Sequence, residues 1–179
     1  METITGQLLI AAPTLQDPNF WRTVVLVLNH DADGALGLVL NRPSETVVGE
    51  SVPQLDGLLD LDEQVHLGGP VQPNAVIVLA EFDDPGDAAL IAFERVGVLG
   101  TDPAKQTPAV VVARAFAGHA GWGPGQLDEE LERGDWILEP ALHADAFSSD
   151  PDELWPTVLS RKGGSYALIA RMPDDPSLN

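Results

Sequence analysis

RTVVLVLNHDADGALGLVLNRP, residues 22–43, decides the fold of this chain. Two apolar runs, residues 23–28 and 36–40, flank Asp31-Ala32-Asp33-Gly34, whose acids and glycine suit a tight connection between antiparallel strands. The segment predicts a buried β-hairpin. Its second strand ends in Asn41-Arg42-Pro43, where a planar guanidinium leaves an apolar strand just before a residue that cannot donate to a ladder. Pro43 is expected to stop the strand and Arg42 to present its charge at the strand end.

Working outward, residues 6–12 read as a strand that precedes the hairpin, and residues 13–20 as the loop between them. Residues 46–60 carry apolar side chains at mostly helical spacing around Pro53, which predicts a short interrupted helix. Residues 65–67 lead into the turn Gly68-Gly69-Pro70-Val71. Residues 75–82 form a strongly apolar strand, 83–87 a turn, 88–93 and 95–99 two shorter strands, and 103–108 at most a poor helix. AVVVARAFA, residues 109–117, is another strong strand, expected to run into a glycine-rich loop at 118–125. QLDEELER, residues 126–133, has Leu127 and Leu131 one turn apart, early acids, Arg133 late and Gly134 after it, the pattern of a short amphipathic helix. Residues 135–139 read as a strand, 150–162 as a helix with Asp150 as its acidic cap and Pro151 in its first turn, 166–170 as an edge strand, and 173–179 as an acidic, proline-containing tail.

Residues 1–172 therefore form one domain, and no linker or repeat divides them. Strands outnumber helices and do not alternate with them. The expected class is α/β of the α+β type: a curved, mixed, largely antiparallel sheet with helices packed outside.

At 179 residues and 44% hydrophobic composition, the chain is long enough to bury a full core. It has no cysteine, which excludes disulfides, thiolate catalysis and cysteine-ligated zinc. Met1-Glu2-Thr3 opens without a basic region, and no apolar run approaches the roughly 18 residues of a membrane span. The expectation is a soluble cytoplasmic protein that does not enter membranes. Nine Lys and Arg against 28 Asp and Glu give a net charge of −19. That field repels phosphate backbones and disfavours direct nucleic-acid binding.

Three constellations bear on chemistry. His30, Asp31 and Asp33 crowd donors together, but acids in a hairpin connection serve turn geometry, and no metal is assigned. Asn41 and Arg42 suit bidentate capture of a carboxylate or phosphate, and equally a strand-end arginine paired with one of the many acids. Residues 118–125, followed by Gln126 and Glu130, offer backbone amides and the flat wall of Trp122, or else a tight crossover capped by that ring. The serines form no nucleophile elbow, and His66, His119 and His143 are isolated in sequence. No catalytic residue and no cofactor is assigned.

Residues 6–43, VHLGGPV at 65–71 and GHAGWGPGQLDEEL at 118–131 resemble the YqgE/AlgH family of bacterial proteins, and the helix containing Trp155 fits its C-terminal part. The resemblance runs over nearly the whole chain in the family's order. It implies a single compact α/β domain and no established activity. The family's transcriptional-regulator label rests on a genetic link to alginate production and implies no DNA-reading element. Its signature falls on Asn41, Arg42, Gly68, Gly69, Pro70, Gly121, Trp122, Gln126 and Glu130. The cysteine of some relatives has no counterpart here, so a redox role does not carry over, and His119 stands where an aromatic such as tyrosine is expected.

The leading expectation is a non-catalytic regulatory or adaptor protein in which Arg42, the Gly68-Gly69-Pro70 turn and the Trp122 loop meet at one rim. Its partner is an unidentified protein or a small anionic ligand. The rival is a small-anion sensor or enzyme at the same rim, with Glu130 or His30 as base. A DNA-binding regulator comes third.

Overall fold

The structure, a computed structural model, describes residues 2–100 and 107–173. The hairpin lies at its centre. β2 (Val24–Asp31) and β3 (Gly34–Val39) are antiparallel and joined through Ala32-Asp33, with Asp31 opposite Gly34. Asp31 turns its carboxylate onto the connection, accepting from the Asn29 side chain at 2.9 Å and from the Asp33 amide at 2.8 Å. These bonds, the Asn29 one first, hold its pKa below the usual carboxylate value.

The unbroken apolar run of β2 has a structural cause: the strand is buried on both faces. Val24, Leu26 and Leu28 join a core with Leu38, Phe116 and Trp155, while Val25 and Val27 join a second core with Trp122, Leu127 and Trp136. β1 (Gln7–Ala11) pairs antiparallel with β2 on one side and with β10 (Trp136–Pro140) on the other.

β3 leads through β9 (Val110–Trp122) to β6 (Val71–Phe82), β8 (Val96–Val98) and β7 (Leu90–Phe93), so the sheet runs in the order β10-β1-β2-β3-β9-β6-β8-β7. β4 (Pro43–Val47) and β5 (Gln64–Leu67) form a side branch, with β5 parallel to β9 and the other pairings antiparallel. This is the mixed, largely antiparallel sheet expected, in a single domain.

Helices cover it. α1 (Val48–Ser51) and a 3-10 turn at Pro53–Leu55 are the interrupted helix, and α2 (Gln126–Glu132) is the amphipathic one. The C-terminal helix is a 3-10 turn at Pro151–Glu153 followed by α4 (Leu154–Lys162), which buries Leu154, Trp155, Val158 and Leu159. Trp155 donates its indole N–H to the Ala11 carbonyl at 2.9 Å, fixing α4 to β1. α3 (His143–Ala146), which the sequence reading did not foresee, is tied to α4 by two 2.8 Å bonds from Arg161 to the buried Asp145.

Four expectations are corrected. Residues 118–122 are strand, because β9 continues through them to pair with β3, Trp122 opposite Ala35 and Ala120 opposite Gly37. Only residues 123–125 are loop. Glycines mislead here because the turn after β5 lies directly on β9: Gly69 (φ +150°) and Gly118 (φ +74°) bring their backbones together where no Cβ fits. Pro43 does not end pairing but begins β4, opposite His66, as the first residue of a strand. The expected edge strand at 166–170 is helix α5 (Ser165–Ile169), whose Tyr166, Ile169 and following Ala170 face the core at helical spacing. Its short apolar run fits either period. Asp150 makes no side-chain cap for the helix it precedes. The poor helix at 103–108 falls mostly, and the tail at 173–179 almost wholly, outside the described residues.

Candidate functional site

Where β3 ends, Asn41 replaces the ladder with its side chain. Its Oδ1 accepts from the Val24 amide at 2.9 Å, and its Nδ2 donates to the Arg22 carbonyl at 2.9 Å. Arg22 has φ +54°, an uncommon conformation for a residue with a Cβ, and Asn41 helps to hold it there. Asn41 is therefore a positioning residue that fixes the chain on either side of Thr23 next to the strand end that carries Arg42.

Arg42 extends its guanidinium across the loop at residues 17–22. Nη2 donates to the Trp21 carbonyl at 2.7 Å, and Nη1 lies 3.4 Å from the Pro18 carbonyl. Its backbone carbonyl accepts from the Leu67 amide at 2.7 Å, which brings β5 alongside. No carboxylate among the described residues pairs with it, and partial burial lowers its pKa from the usual arginine value. Four other cations are held by carboxylates. Arg95 pairs with Glu81, Arg133 with Asp135, Arg161 with Asp145, and Lys162 with Glu139. Arg22 donates to the carbonyls of Met172 and Pro173 and lies 4.4 Å above the Trp155 ring.

Two depressions share Arg42 as a wall. On one side an open cleft of about 950 Å³ runs past Pro18, Trp21, Arg22 and Asn41 to Asp152 and Met172. On the other a groove of about 230 Å³ is lined by Asn19, Leu67, Gly69, Pro70 and Ala117. Exposed apolar side chains line them: Trp21, in the cleft, is 37% accessible and Leu67, in the groove, 51%. The structure thus brings Arg42 together with Gly69 and Pro70. Gly68 is buried between β3 and β9, its carbonyl accepting from the Val39 amide at 2.8 Å. Gly121 lies on β9 beside Val71 and His119, away from the walls of either depression.

Trp122, Gln126 and Glu130 form a second constellation at the opposite end of β3. The Glu130 carboxylate accepts from the Trp122 indole at 2.9 Å, from the Trp136 indole at 2.8 Å and from the Gln126 amide at 3.0 Å. Gln126 in turn accepts from the Gly123 amide at 3.0 Å. The two indoles are packed edge to face, and Phe20 stacks on Trp122 with ring centroids 6.2 Å apart. Phe20 belongs to the same loop whose carbonyls Arg42 holds. Trp122 therefore supports that loop from inside while Arg42 grips it from outside.

His30, a candidate base, is 5% exposed and lies 3.5 Å from Asp128, its other ring nitrogen facing the Ile4 amide at 3.4 Å. The 17–22 loop, which forms most of the cleft wall, was readable in sequence only as a connection. The adjacent aromatics Phe20-Trp21 directly after Asp17-Pro18-Asn19 are the sequence signal that could have marked it.

A ten-stranded, largely antiparallel sheet with one parallel pairing and helices packed on it defines the class, and comparison supplies the family. The DUF179 family model, described as AlgH-like, matches residues 8–167. The chain belongs to this AlgH-like family. It is 42% identical over 187 residues to UPF0301 protein SCO2948 of Streptomyces coelicolor, covering 100% of this chain and 97% of that one. It is 35% identical over 182 residues to UPF0301 protein CT0663 of Chlorobaculum tepidum, covering 97% and 95%. Among solved structures it is similar to protein DIP2367 from Corynebacterium diphtheriae (TM-score 0.82, 30% identity, 95% and 93% covered). It is also similar to the AlgH protein from Pseudomonas aeruginosa (TM-score 0.72, 28% identity, 98% of each chain covered).

Proposed function

We propose that the protein is a non-catalytic cytoplasmic regulatory or adaptor protein that captures a partner at the Arg42 rim, with an anionic group of the partner docking on the guanidinium. The observation that carries this reading is that Arg42, in a chain of 28 acids, donates only to backbone carbonyls among the described residues. A guanidinium has five donors in a fixed fork, so several remain for a carboxylate. The exposed Trp21 and Leu67 supply apolar contact on either side of the charge, the composition of a recognition patch. The cleft is open along its length, which suits a segment of another chain better than a sealed small molecule. The net charge of −19 limits attraction of anions to short range, so a locally carboxylate-bearing, globally neutral or basic partner fits best.

The test is calorimetric titration with peptides that end in a free carboxylate after apolar residues. Arg42→Ala is expected to weaken binding about tenfold to a hundredfold, the size of a lost charge-assisted hydrogen bond, with unfolding changed by no more than about 1 kcal/mol. Arg42→Lys should recover only part of the loss, because an ammonium cannot bind bidentately. Stabilisation of the native protein by acetate or citrate alone, abolished by Arg42→Ala, would replace the adaptor reading with that of a small-anion sensor. Salt-dependent binding of duplex DNA at physiological ionic strength would overturn both.

A further inference from the structure

His66 and Arg114 interrupt two apolar strands, and the sequence offers no partner for either. β5 runs parallel to β9 with His66 opposite Phe116, the rings 5.4 Å apart, and Arg114 precedes Phe116 by two residues on the same face of β9. His66 is 5% exposed, and neither of its ring nitrogens has a hydrogen-bond partner. Such buried, unmatched polar atoms are uncommon and call for a missing partner. Arg114 gives one of its five donors to the Ser148 carbonyl at 2.9 Å, and no carboxylate pairs with it among the described residues. Both side chains line a separate cavity of about 190 Å³, bounded by Glu63 and Gln64 on one side and by Ser148, Ser149 and Pro151 on the other. The Ser148 hydroxyl accepts from the Asp150 amide at 3.2 Å, which leaves its own proton available to donate.

We propose that this cavity is a binding site for a small oxyanion, a phosphate or carboxylate group, whose oxygens accept from the Arg114 guanidinium, the His66 ring N–H and the Ser148 hydroxyl. The one carboxylate among the lining residues, Glu63, is exposed and hydrogen-bonds neither side chain; its charge reaches Arg114 only through space, against the burial that lowers the guanidinium's pKa. Burial first, and then the charge of Arg114, hold the His66 pKa down to about 4. The Gln64 carbonyl acts in the opposite direction but lies outside hydrogen-bond geometry. At neutral pH the ring is therefore uncharged and carries one N–H, and an anion arriving beside it would favour protonation.

The site is independent of the Arg42 rim, and the experiment keeps the two apart. The ring resonances of His66 in the full ¹⁵N-labelled chain are followed by NMR during titration with inorganic phosphate and, in a second arm, with acetate, chloride being adjusted to constant ionic strength. A saturable shift is expected, with the apparent pKa of His66 raised by ~1 unit when the site is full. The arm that saturates at lower concentration identifies the group, phosphate ester or carboxylate. The response should vanish in Arg114→Gln and persist in Arg42→Ala. Ring signals that respond to neither anion beyond what chloride alone does mean that the cavity holds only water, and the proposal falls on the wild-type measurement without any variant. Loss of the response in Arg42→Ala, with Arg114→Gln folded and responsive, would equally overturn it.

Discussion

Glu130→Ala should lower the stability of the fold by about 3 kcal/mol, since each buried donor left without an acceptor costs roughly 1–3 kcal/mol. Two such donors are at stake. The Trp122 and Trp136 indoles, 7% and 5% exposed, both donate to one Glu130 oxygen, while Gln126 holds the other. For a chain of this length the loss corresponds to a midpoint lower by about 10 °C. Glu130→Gln keeps one carbonyl oxygen in place and should lose about half as much. Thermal unfolding followed by near-ultraviolet circular dichroism reads both the stability and the packing of the indoles. An unchanged midpoint in Glu130→Ala would show that the carboxylate does not hold the indoles and would return it to the list of candidate binding groups.

A second large effect concerns pH. With the His66 pKa depressed from 6.5 to about 4 in the fold, the unfolded chain binds the additional proton between those values. Stability is therefore complete above about pH 6.5 and declines as pH falls towards 4, by on the order of 3 kcal/mol in total, in a buffer free of phosphate and carboxylates. His66→Phe removes the titration and places an apolar ring against Phe116, so its stability should change much less between pH 6.5 and 5. The difference between the two urea-unfolding profiles isolates the histidine from the carboxylates, most of which titrate lower. Parallel profiles for wild type and variant would mean that His66 is charged or solvated in the native state.

Periodicity and turn chemistry carried most of the sheet into view from sequence: the hairpin of β2 and β3, β1, β6, β10 and both longer helices were all readable. β2 shows why, because its uninterrupted valines and leucines have meaning only in a strand covered on both faces. The failures were equally physical. Gly118 reads as loop, yet glycine is needed there in β9 because the Gly68-Gly69 backbone crosses against it, a contact between segments about 50 residues apart in the chain. At the site, Arg42 with Gly69 and Pro70 was anticipated. The role of the 17–22 loop was not, since it depends on Asn41 and Arg42 bonding its carbonyls and on Phe20 reaching Trp122. In sequence His66 stands isolated, and the lone Arg114 inside AVVVARAFA shows no partner. A single polar side chain in an apolar strand is the sign that such a residue has a partner elsewhere.

The four tryptophan indoles test the central claim most directly, because Trp21 stands on the rim while Trp122, Trp136 and Trp155 are buried and hydrogen-bonded within the fold. In ¹⁵N–¹H spectra recorded during titration with a carboxylate-terminated apolar peptide, the Trp21 indole and the Arg42 side-chain signals should move together and saturate, with the three buried indoles stationary. Saturating shifts at Trp122 and Trp136 with Trp21 unmoved, or no shift at any indole, would contradict the assignment of recognition to the Arg42 rim.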